Sequence, residues 1–375
     1  MTKKFVIVCG GTGGHLAPGI AIAEGLTSRG HTVTLLISRK EVDSRLVAKY
    51  KHLHYERIEG APFSVHPIRA LQFGWGCARG IWQTFKLLRK LKPDVVLAFG
   101  GFISVSAGFA TLLMHIPLAL HEANRRPGKA NRLLAKRADL VFLPRGMRVP
   151  GLSPKKMRDY GYPVRKEIRR QPREQALAAL GLEGAERVLA VIGGSQGAAA
   201  LNRWVRDNFE ALGARGIETV CITGPRAADE GLVEVPVGDR VARARFLPFS
   251  DNMAAIYSAA DLVVSRAGAG TLAELIRCHT PAVLVPYPYA TDDHQTANAR
   301  FLEQRGGAII LQQSHLSNLR AEVLELIFND DLLDRFKQNL SAADFENRLG
   351  ALLDELEHLA GMGTRPAPVK PLQAG

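Results

Sequence analysis

The chain of 375 residues contains little cysteine: four residues (Cys9, Cys77, Cys221 and Cys278) that lie far apart and form no CxxC pair. This scarcity excludes a disulfide-stapled scaffold, and the lack of any Cys/His cluster in the sequence excludes a structural zinc site. The cysteine pattern is instead typical of a protein that works in a reducing cytosol.

A long uninterrupted hydrophobic run is also missing. Residues 95–120 contain no Asp, Glu, Lys or Arg and could cross a bilayer by length alone, but glycines, serines, His115 and Pro117 interrupt them. The pattern predicts a strand over VVLAF, a loop over GGFISVS, a helix over AGFATLLMH and a strand over PLALH. The N-terminal apolar run reaches glycines after five residues, which is too short for a signal-peptide core. We therefore expect no membrane-spanning segment.

Acidic residues are scarce in the first half of the chain. Residues 1–164 hold 26 Lys and Arg against 9 Asp and Glu, whereas residues 165–375 hold 23 against 27. The net charge is therefore +17 in the first part and −4 in the second. A surface as basic as the first part indicates an anionic partner, either nucleic acid or acidic lipid.

Strand-like apolar runs alternate with helical segments along the chain, beginning with FVIVCG, APGIAIAEGLTSRG and TVTLLIS. This rhythm predicts an α/β fold of parallel sheets with helices on both faces. The chain is irregular over 143–172 and the alternation restarts with VLAVIGG at 188–194, so we predict two domains, 1–164 and 165–340. We expect a helix at about 341–360 to pack back on the first domain and residues 361–375 to form a disordered tail.

Both predicted domains open with a strand that runs into a glycine-rich turn, GGTGGH at 10–15 and GGSQGA at 193–198. Such a turn, followed by a helix N-terminus, can bind an anion or can be a plain connection. A dinucleotide site would need an acidic residue at the end of the second strand, and that strand ends in Ser38-Arg39 with no acid before Glu41. The sequence therefore excludes a dinucleotide cofactor.

A third turn, SRAGAG at 265–270, precedes Glu274, which we place on the first turn of the next helix. Its carboxylate could accept hydrogen bonds from a ribose diol or only complement the helix dipole. Beyond it, His294, Gln295 and Asn298 lie at helical spacing and could read the hydroxyls of a sugar. Two anion-binding turns beside an acid favour a nucleoside diphosphate. No Asp-x-Asp motif is present, so we predict no metal ion and no cofactor.

Together these motifs resemble one family. GGTGGH, GGF-I-S, HEAN, GYPVR, GGSQGA, SRAGAGTLAE and DDHQTANA occur, over about residues 5–330, in the order and spacing of the MurG family. This family transfers N-acetylglucosamine (GlcNAc) from UDP-GlcNAc to lipid I and so makes lipid II for peptidoglycan. The chain departs from the family at Ala123, where the family has Gln, and at Tyr162, where it has Asn.

The resemblance implies a glycosyltransferase-B fold, two Rossmann-like domains facing across a cleft, with UDP-GlcNAc mainly on the second domain and the lipid acceptor on the first. It implies that His15 is the general base that deprotonates the acceptor hydroxyl, since imidazole titrates near neutral pH; a capping role for His15 is the alternative. The residues implied to bind UDP-GlcNAc are Thr12, Gly13, Gly14, Asn124, Arg165, Ser195, Gln196, Phe249, Ala269, Gly270, Thr271, Glu274, Gln295 and Asn298.

Segment 61–93 has no acidic residue and interleaves six Lys and Arg with five aromatic residues. A helix over 78–91 would align Trp82, Phe85, Leu88 and Leu91, and LQFGWG before it is predicted to be an exposed loop. The face could belong to the core, but the lipid acceptor of the family favours docking on an anionic membrane surface. We therefore expect a peripheral protein on the cytoplasmic face of the bacterial inner membrane. Nucleic acid is not an expected partner, because no helix-turn-helix, finger or RNP-like motif is present.

Three other functions remain open on the sequence. A related glycosyltransferase could use another UDP-sugar to build a glycolipid. A hydrolysing UDP-GlcNAc 2-epimerase shares the architecture and the donor but needs no basic, lipid-facing half. A nucleotide-sugar binding protein without activity would not need His15.

Overall fold

The computed structural model describes residues 1–10, 13–38, 46–58, 67–194, 196–225, 230–344 and 347–362. The described chain forms two compact α/β units. The first contains the residues up to Arg165 together with 347–362, and the second contains residues 166–344. The predicted tail, apart from its first two residues, lies outside the described residues.

The first unit is built on a seven-stranded sheet in the order β3-β2-β1-β4-β5-β6-β7, in which every neighbouring pair is parallel. Its elements are β1 (Lys4–Val8), α1 (Gly13–Ser28), β2 (Thr32–Ile37), β3 (His54–Arg57), α2 (Pro67–Leu91), β4 (Val95–Ala98), α3 (Gly101–Leu113), β5 (Leu118–His121), α4 (Lys129–Ala135), β6 (Leu140–Phe142) and β7 (Met157–Arg158). The central strands are buried on both faces, as their unbroken Val, Ile and Leu runs require.

The second unit repeats this architecture with the strand order β10-β11-β9-β8-β12-β13-β14, where only β10 is antiparallel. Its elements are α5 (Arg173–Leu180), β8 (Arg187–Ile192), α6 (Ala199–Gly213), β9 (Ile217–Ile222), β10 (Gly231–Val237), β11 (Arg240–Leu247), α7 (Met253–Ala259), β12 (Leu262–Ser265), α8 (Ala269–Cys278), β13 (Ala282–Leu284), α9 (His294–Gln304), β14 (Ala308–Ile310), α10 (Leu319–Ile327) and α11 (Asp330–Asp344). Both orders contain the Rossmann arrangement, so the prediction of two Rossmann-like α/β domains is confirmed.

The C-terminal helical pattern differs from the predicted single helix at 341–360. Residues 341–344 end α11 in the second unit, and a separate helix, α12 (Leu349–Leu359), begins after the break. Leu352, Leu353 and Leu356 of α12 are buried in the core cluster that also contains Leu16 and Ile20 of α1. The apolar residues of α12 thus complete one face of the first sheet.

Two predicted loops are helical. Residues 101–106 open α3 and do not form the predicted loop, because Gly100 (φ +94°) makes the strand-to-helix turn in a single sharp step. Residues 71–76 likewise lie within α2. Of the predicted helical face, Phe85, Leu88 and Leu91 pack on the core, whereas Trp82 is 58% exposed. A spacing of three residues drifts about 60° per step around an α-helix, which carries Trp82 away from Leu88. Among the described helices, none combines the length and apolarity needed to cross a bilayer.

Candidate active site

The glycine-rich turn of the first unit lies where the strand order of its sheet reverses, after β1 and beside β4. Ligands of open α/β sheets bind at this place, at the carboxyl ends of the strands. Gly10 packs so closely on the end of β2 that a Cβ atom would lie 2.2 Å from the Ser38 nitrogen. At the end of β4, a Cβ atom on Gly101 (φ +77°) would lie 3.6 Å from the imidazole of His15.

His15 is half-buried in the first turn of α1, near a second imidazole that sequence reasoning did not assign a role. His121 ends β5, is fully buried, and stacks on Phe99 with ring centroids 4.9 Å apart. Its Nε2 donates to the Gly161 carbonyl at 3.3 Å. The pKa of His121 is lowered to about 4, chiefly by burial and also by the charge of His15, while the Gly161 hydrogen bond acts in the opposite direction. His121 is therefore neutral near pH 7.

The HEAN segment forms a loop around a buried carboxylate. Glu122 is 3% exposed and accepts hydrogen bonds from the backbone nitrogens of Asn124 (2.9 Å) and Gly128 (2.8 Å) and from Asn131 Nδ2 (2.9 Å). Burial raises the pKa of Glu122, while the hydrogen bonds from Asn124, Asn131 and Gly128 act in the opposite direction. Glu122 thus fixes the backbone of Asn124, and its place in the HEAN motif was the signal that sequence reasoning left unused.

The glycine-rich turn of the second unit lies at the equivalent place, after β8 and beside β12. Its backbone packs directly on the end of β9. A Cβ atom on Gly197 (φ +74°) would lie 2.3 Å from the Thr223 oxygen, and one on Gly224 (φ +89°) 2.5 Å from the Gly197 Cα atom. Only glycine fits these positions, and the turn leads into the N-terminus of α6, whose first backbone N–H groups can bind an anion.

Glu274 lies in the second turn of α8, which begins at Ala269, so the prediction of a first-turn position is wrong. A dipole role weakens with distance from the helix end. The Tyr257 hydroxyl, on a side chain only 1% exposed, donates to Glu274 Oε2 at 2.9 Å. This hydrogen bond orients the half-buried carboxylate of Glu274. A glutamate that only complemented the helix dipole would not need such a hydrogen bond.

Gln295 and Asn298 both bind the SRAGAG turn at Ala267. The Ala267 nitrogen donates to Gln295 Oε1 (3.2 Å), and Asn298 Nδ2 donates to the Ala267 oxygen (3.1 Å). Gln295 Oε1 also accepts from the Tyr287 nitrogen at 2.9 Å, so its amide nitrogen is the group left to donate to a ligand. Asn298 is only 2% exposed. These amides therefore shape the turn, and Gln295 is the better placed of the two to contact a sugar.

Arg266, in the same turn, is a residue that sequence reasoning missed. Its guanidinium is buried, donates to the Val285 oxygen (3.1 Å) and to Gln313 Oε1, and lies over the Tyr287 ring. Burial lowers its pKa from the usual value, but arginine stays protonated near pH 7. The position of an arginine among the small residues of the SRAGAG motif was the sequence feature that could have pointed to Arg266. Arg266 thus joins the end of β12 to the residue that follows β13.

Comparison with known proteins decides the family. The glycosyltransferase family 28 N-terminal domain matches residues 5–143, and the family 28 C-terminal domain matches residues 188–349. A UDP-N-acetylglucosamine–N-acetylmuramyl-(pentapeptide) pyrophosphoryl-undecaprenol N-acetylglucosamine transferase from Opitutus terrae is 48% identical, with 95% of each chain covered. The crystal structure of Acinetobacter baumannii MurG matches with a TM-score of 0.68 and 26% identity, over 95% of this chain and 99% of that one. The chain belongs to the MurG family.

Membership in the MurG family confirms the glycosyltransferase-B fold that the motifs implied. The fold alone does not identify the reaction. A putative UDP-N-acetylglucosamine 2-epimerase from Listeria monocytogenes matches with a TM-score of 0.71, at 15% identity, over 99% of this chain and all of that one. The MurG assignment therefore rests on sequence identity and on motifs, not on shape.

The residues implied by the MurG motifs are distributed over both units. In the first unit, Gly14, His15 and Asn124 lie at the carboxyl edge of the sheet, and Arg165 donates to the Tyr50 hydroxyl at 3.2 Å. In the second, Gln196 is exposed in the turn after β8, and Phe249 is 41% exposed after β11. Ala269, Gly270 and Thr271 form the half-buried first turn of α8. Thr12 and Ser195 lie outside the described residues, and Gly13 begins α1.

Proposed function

We propose that this chain is the inverting N-acetylglucosaminyltransferase of peptidoglycan synthesis. It transfers GlcNAc from UDP-GlcNAc to the C4 hydroxyl of MurNAc in undecaprenyl-pyrophosphoryl-MurNAc-pentapeptide, converting lipid I to lipid II. The name of the Opitutus relative states this donor and this acceptor. The observation that carries the proposal is that one unit has a histidine at the switch point of its sheet, and the other has glycine turns and an oriented carboxylate at the equivalent place.

The second unit holds the donor in this proposal. The N-termini of α6 and α8 offer backbone N–H groups to the diphosphate, and Ser195 and Gln196 add side-chain contacts. Glu274, oriented by Tyr257, accepts from the ribose hydroxyls, and the backbone at Phe249 meets the uracil. Ala269, Gly270 and Thr271 line the nucleotide. The Gln295 amide nitrogen donates to a GlcNAc hydroxyl, and Asn298 keeps the Ala267 turn in place.

The first unit supplies the acceptor chemistry. The acceptor C4 oxygen attacks the anomeric carbon of GlcNAc as the bond from that carbon to the UDP oxygen breaks. The proton of the C4 hydroxyl passes to His15, and the helix N-termini stabilise the negative charge that UDP carries away. The MurG motifs imply that Thr12, Gly13, Gly14 and Asn124 are the donor-binding residues of this unit. Arg165, also implied to bind the donor, is the last residue of the unit's first segment. The lowered pKa of His121 makes it a weak base, which supports His15 as the proton acceptor of the two imidazoles.

We also propose that the first unit docks as a peripheral protein on the anionic cytoplasmic surface of the bacterial inner membrane. Its net charge of +17 over residues 1–164 and its lipid acceptor support this. Three of its helices bear exposed apolar side chains, namely Trp82, Phe102, Leu113 and Leu133, at 58%, 44%, 65% and 47%. The Lys86 ammonium lies 3.9 Å from the centre of the Trp82 ring, which pairs a cation with an interfacial aromatic.

Transfer of labelled GlcNAc from UDP-GlcNAc to a short-chain lipid I analogue tests the function. The reactions contain EDTA, with UDP-glucose as a parallel donor and acceptor-free samples as controls. We expect metal-independent transfer from UDP-GlcNAc only. UDP release without acceptor would instead support an epimerase, and transfer from UDP-glucose a different glycolipid synthase. Tight UDP binding without transfer would limit the proposal to the donor site.

Flotation with liposomes tests the docking separately. We expect binding to vesicles that contain anionic lipid and none to neutral vesicles, with Trp82→Ala and Leu113→Ala each weakening it. Val241→Ala is the matched control, because Val241 is 53% exposed but belongs to the second unit. Equal binding to neutral vesicles, or preferential binding to duplex DNA, would contradict membrane docking.

A further inference from the structure

Helix α1 contains a proline close to its start. This proline leaves one carbonyl of the catalytic turn, as we call Gly14 and the proposed base His15, without its usual hydrogen-bond donor. In an α-helix the backbone N–H of each residue bonds to the carbonyl four residues earlier. Residue 18 is proline, which has no N–H, so Gly14 cannot receive that hydrogen bond. The Gly14 carbonyl belongs to the peptide group whose nitrogen is that of His15. The backbone of the proposed base therefore needs support from elsewhere.

Tyr162 supplies a donor at this place. Its hydroxyl donates to the Gly14 oxygen at 3.0 Å, and its side chain comes from the segment after β7, which lies 148 residues further along the chain. The residue is 9% exposed. This position is one of the two at which the chain departs from the MurG motifs, with Tyr where the family has Asn.

The phenol ring is itself held on two sides. Its edge packs against the His121 ring, with centroids 6.2 Å apart, and His121 in turn stacks on Phe99. The Tyr162 nitrogen donates to Asn347 Oδ1 at 3.2 Å, just before α12. Gly161 (φ +86°) lets Asn347 approach, because a Cβ atom there would lie 2.3 Å from Asn347 Oδ1. The hydroxyl is thus presented by an anchored ring.

We infer that Tyr162 is a positioning residue for His15. By replacing the hydrogen bond that Pro18 cannot donate, it holds the Gly14–His15 peptide group and thereby the direction of the imidazole. The inference rests on the proposed role of His15 as the base. Tyr162 thus contacts the turn that carries the proposed base, but it is not proposed to touch the donor or the acceptor.

A double-mutant cycle over Tyr162→Phe and Pro18→Ala tests the inference, since Pro18→Ala returns an N–H to the helix. We expect Tyr162→Phe to lower kcat about three- to tenfold, the range of one net hydrogen bond, with KM for UDP-GlcNAc and the affinity for UDP unchanged within about twofold. In the Pro18→Ala background the same substitution should change kcat by less than about twofold. An equal loss of kcat in both backgrounds would overturn the inference.

Tyr160→Phe is the matched control. The Tyr160 hydroxyl is buried in the same segment but donates to Glu355 at 3.1 Å, away from the catalytic turn. We expect it to lower the melting temperature without changing kcat; a loss of kcat equal to that of Tyr162→Phe would reduce Tyr162 to a structural role. The rate of the wild-type protein tests the proposed function by itself. The same double-mutant cycle can also be measured by melting temperature, where the loss from Tyr162→Phe should again be smaller in the Pro18→Ala background. This readout needs no turnover, so the Tyr162–Gly14 hydrogen bond is tested even if transfer fails.

Discussion

The two units carry glycine-rich turns at equivalent places in their sheets, but the groups around the turns differ in kind. In the first, the turn is bordered by aromatic and imidazole rings, with His15, His121, Phe99 and Tyr162 in one group. In the second, Gly197 packs against the backbone of β9, and the nearby side chains are amides and a carboxylate. In the proposed function, the same switch-point geometry therefore serves proton transfer in one unit and nucleotide binding in the other.

The charge follows the same division. The first unit is strongly basic and the second slightly acidic, although both bury similar all-apolar central strands. A shared core with different surfaces indicates that the buried strands maintain the fold, whereas the proposed division of labour depends on side chains at the sheet edges and on the surface. Substitutions at these edges should therefore affect one task and leave the other intact.

The largest effect should come from His15→Ala. Loss of the general base is expected to lower turnover about 10²–10⁴-fold while the affinity for UDP stays within about twofold, because the proposal places most of the UDP contacts in the second unit. Steady-state transfer kinetics and calorimetry with UDP measure the two quantities. His115→Asn serves as the control, since His115 is exposed at φ +55°, a conformation that Asn tolerates. A loss of less than about fivefold would remove His15 from the base role.

The stability of the first unit should fall in acid because of His121. Its folded-state pKa of about 4 is below the ordinary value of 6.5, so the unfolded chain binds the proton more readily. The contribution of His121 to the free energy of unfolding, about 3 kcal/mol, is then fully present above about pH 6.5 and is lost as the pH falls towards 4. Denaturant unfolding of the wild-type protein and of His121→Gln, monitored between pH 7 and 4, measures the slope.

In the His121→Gln variant, the number of protons taken up on unfolding between pH 7 and 4 should be smaller by about one, so the free energy of unfolding should depend less on pH. In a background in which Trp75 and Trp82 are replaced by Phe, the Trp204 fluorescence provides the internal comparison, because Trp204 is buried in the core of the second unit. An unchanged slope in the variant would show that His121 does not carry the acid sensitivity of the first unit.

Glu274→Gln should affect the second unit's task alone. A carboxylate that accepts from a ribose diol contributes about 1.5–3 kcal/mol, so UDP affinity is expected to fall about 10- to 100-fold, with kcat at saturating donor nearly unchanged. Glu325→Gln, an exposed glutamate in α10, is the control of equal chemistry. A drop in kcat without loss of UDP affinity would place Glu274 outside the ribose site.

Tyr257→Phe should give the smallest effect. It removes only the hydroxyl that orients Glu274, so UDP affinity is expected to fall about three- to tenfold. The same substitution should have little effect on the binding of 2′-deoxy-UDP, which lacks one of the two hydroxyls that Glu274 would accept from. Equal losses for both nucleotides would indicate that Tyr257 only supports the fold of α7 and α8.

Local patterns in the sequence were sufficient for the α/β class, the two Rossmann-like halves and the three glycine turns. Strand periodicity and glycine spacing depend on neighbouring residues, so they can be read without knowing the fold. The same patterns failed in two places. Residues 101–106 are helical because Gly100 turns sharply, and the predicted helix at 341–360 is divided between the two units.

The candidate site depended more on tertiary structure. His15, Glu274 and Gln295 were suggested by motif and spacing, but their partners come from distant parts of the chain. His121 reaches Gly161, Tyr257 reaches Glu274, and Tyr162 reaches Gly14 across 148 residues. Burial and hydrogen-bond geometry determine whether an imidazole is neutral or a carboxylate is oriented, and these quantities exist only once the chain has folded. By itself the sequence determined which residue types are present and the order of strands and helices along the chain. Only the folded sheets brought the hydrogen-bond donors and acceptors together, at the carboxyl edges of the strands.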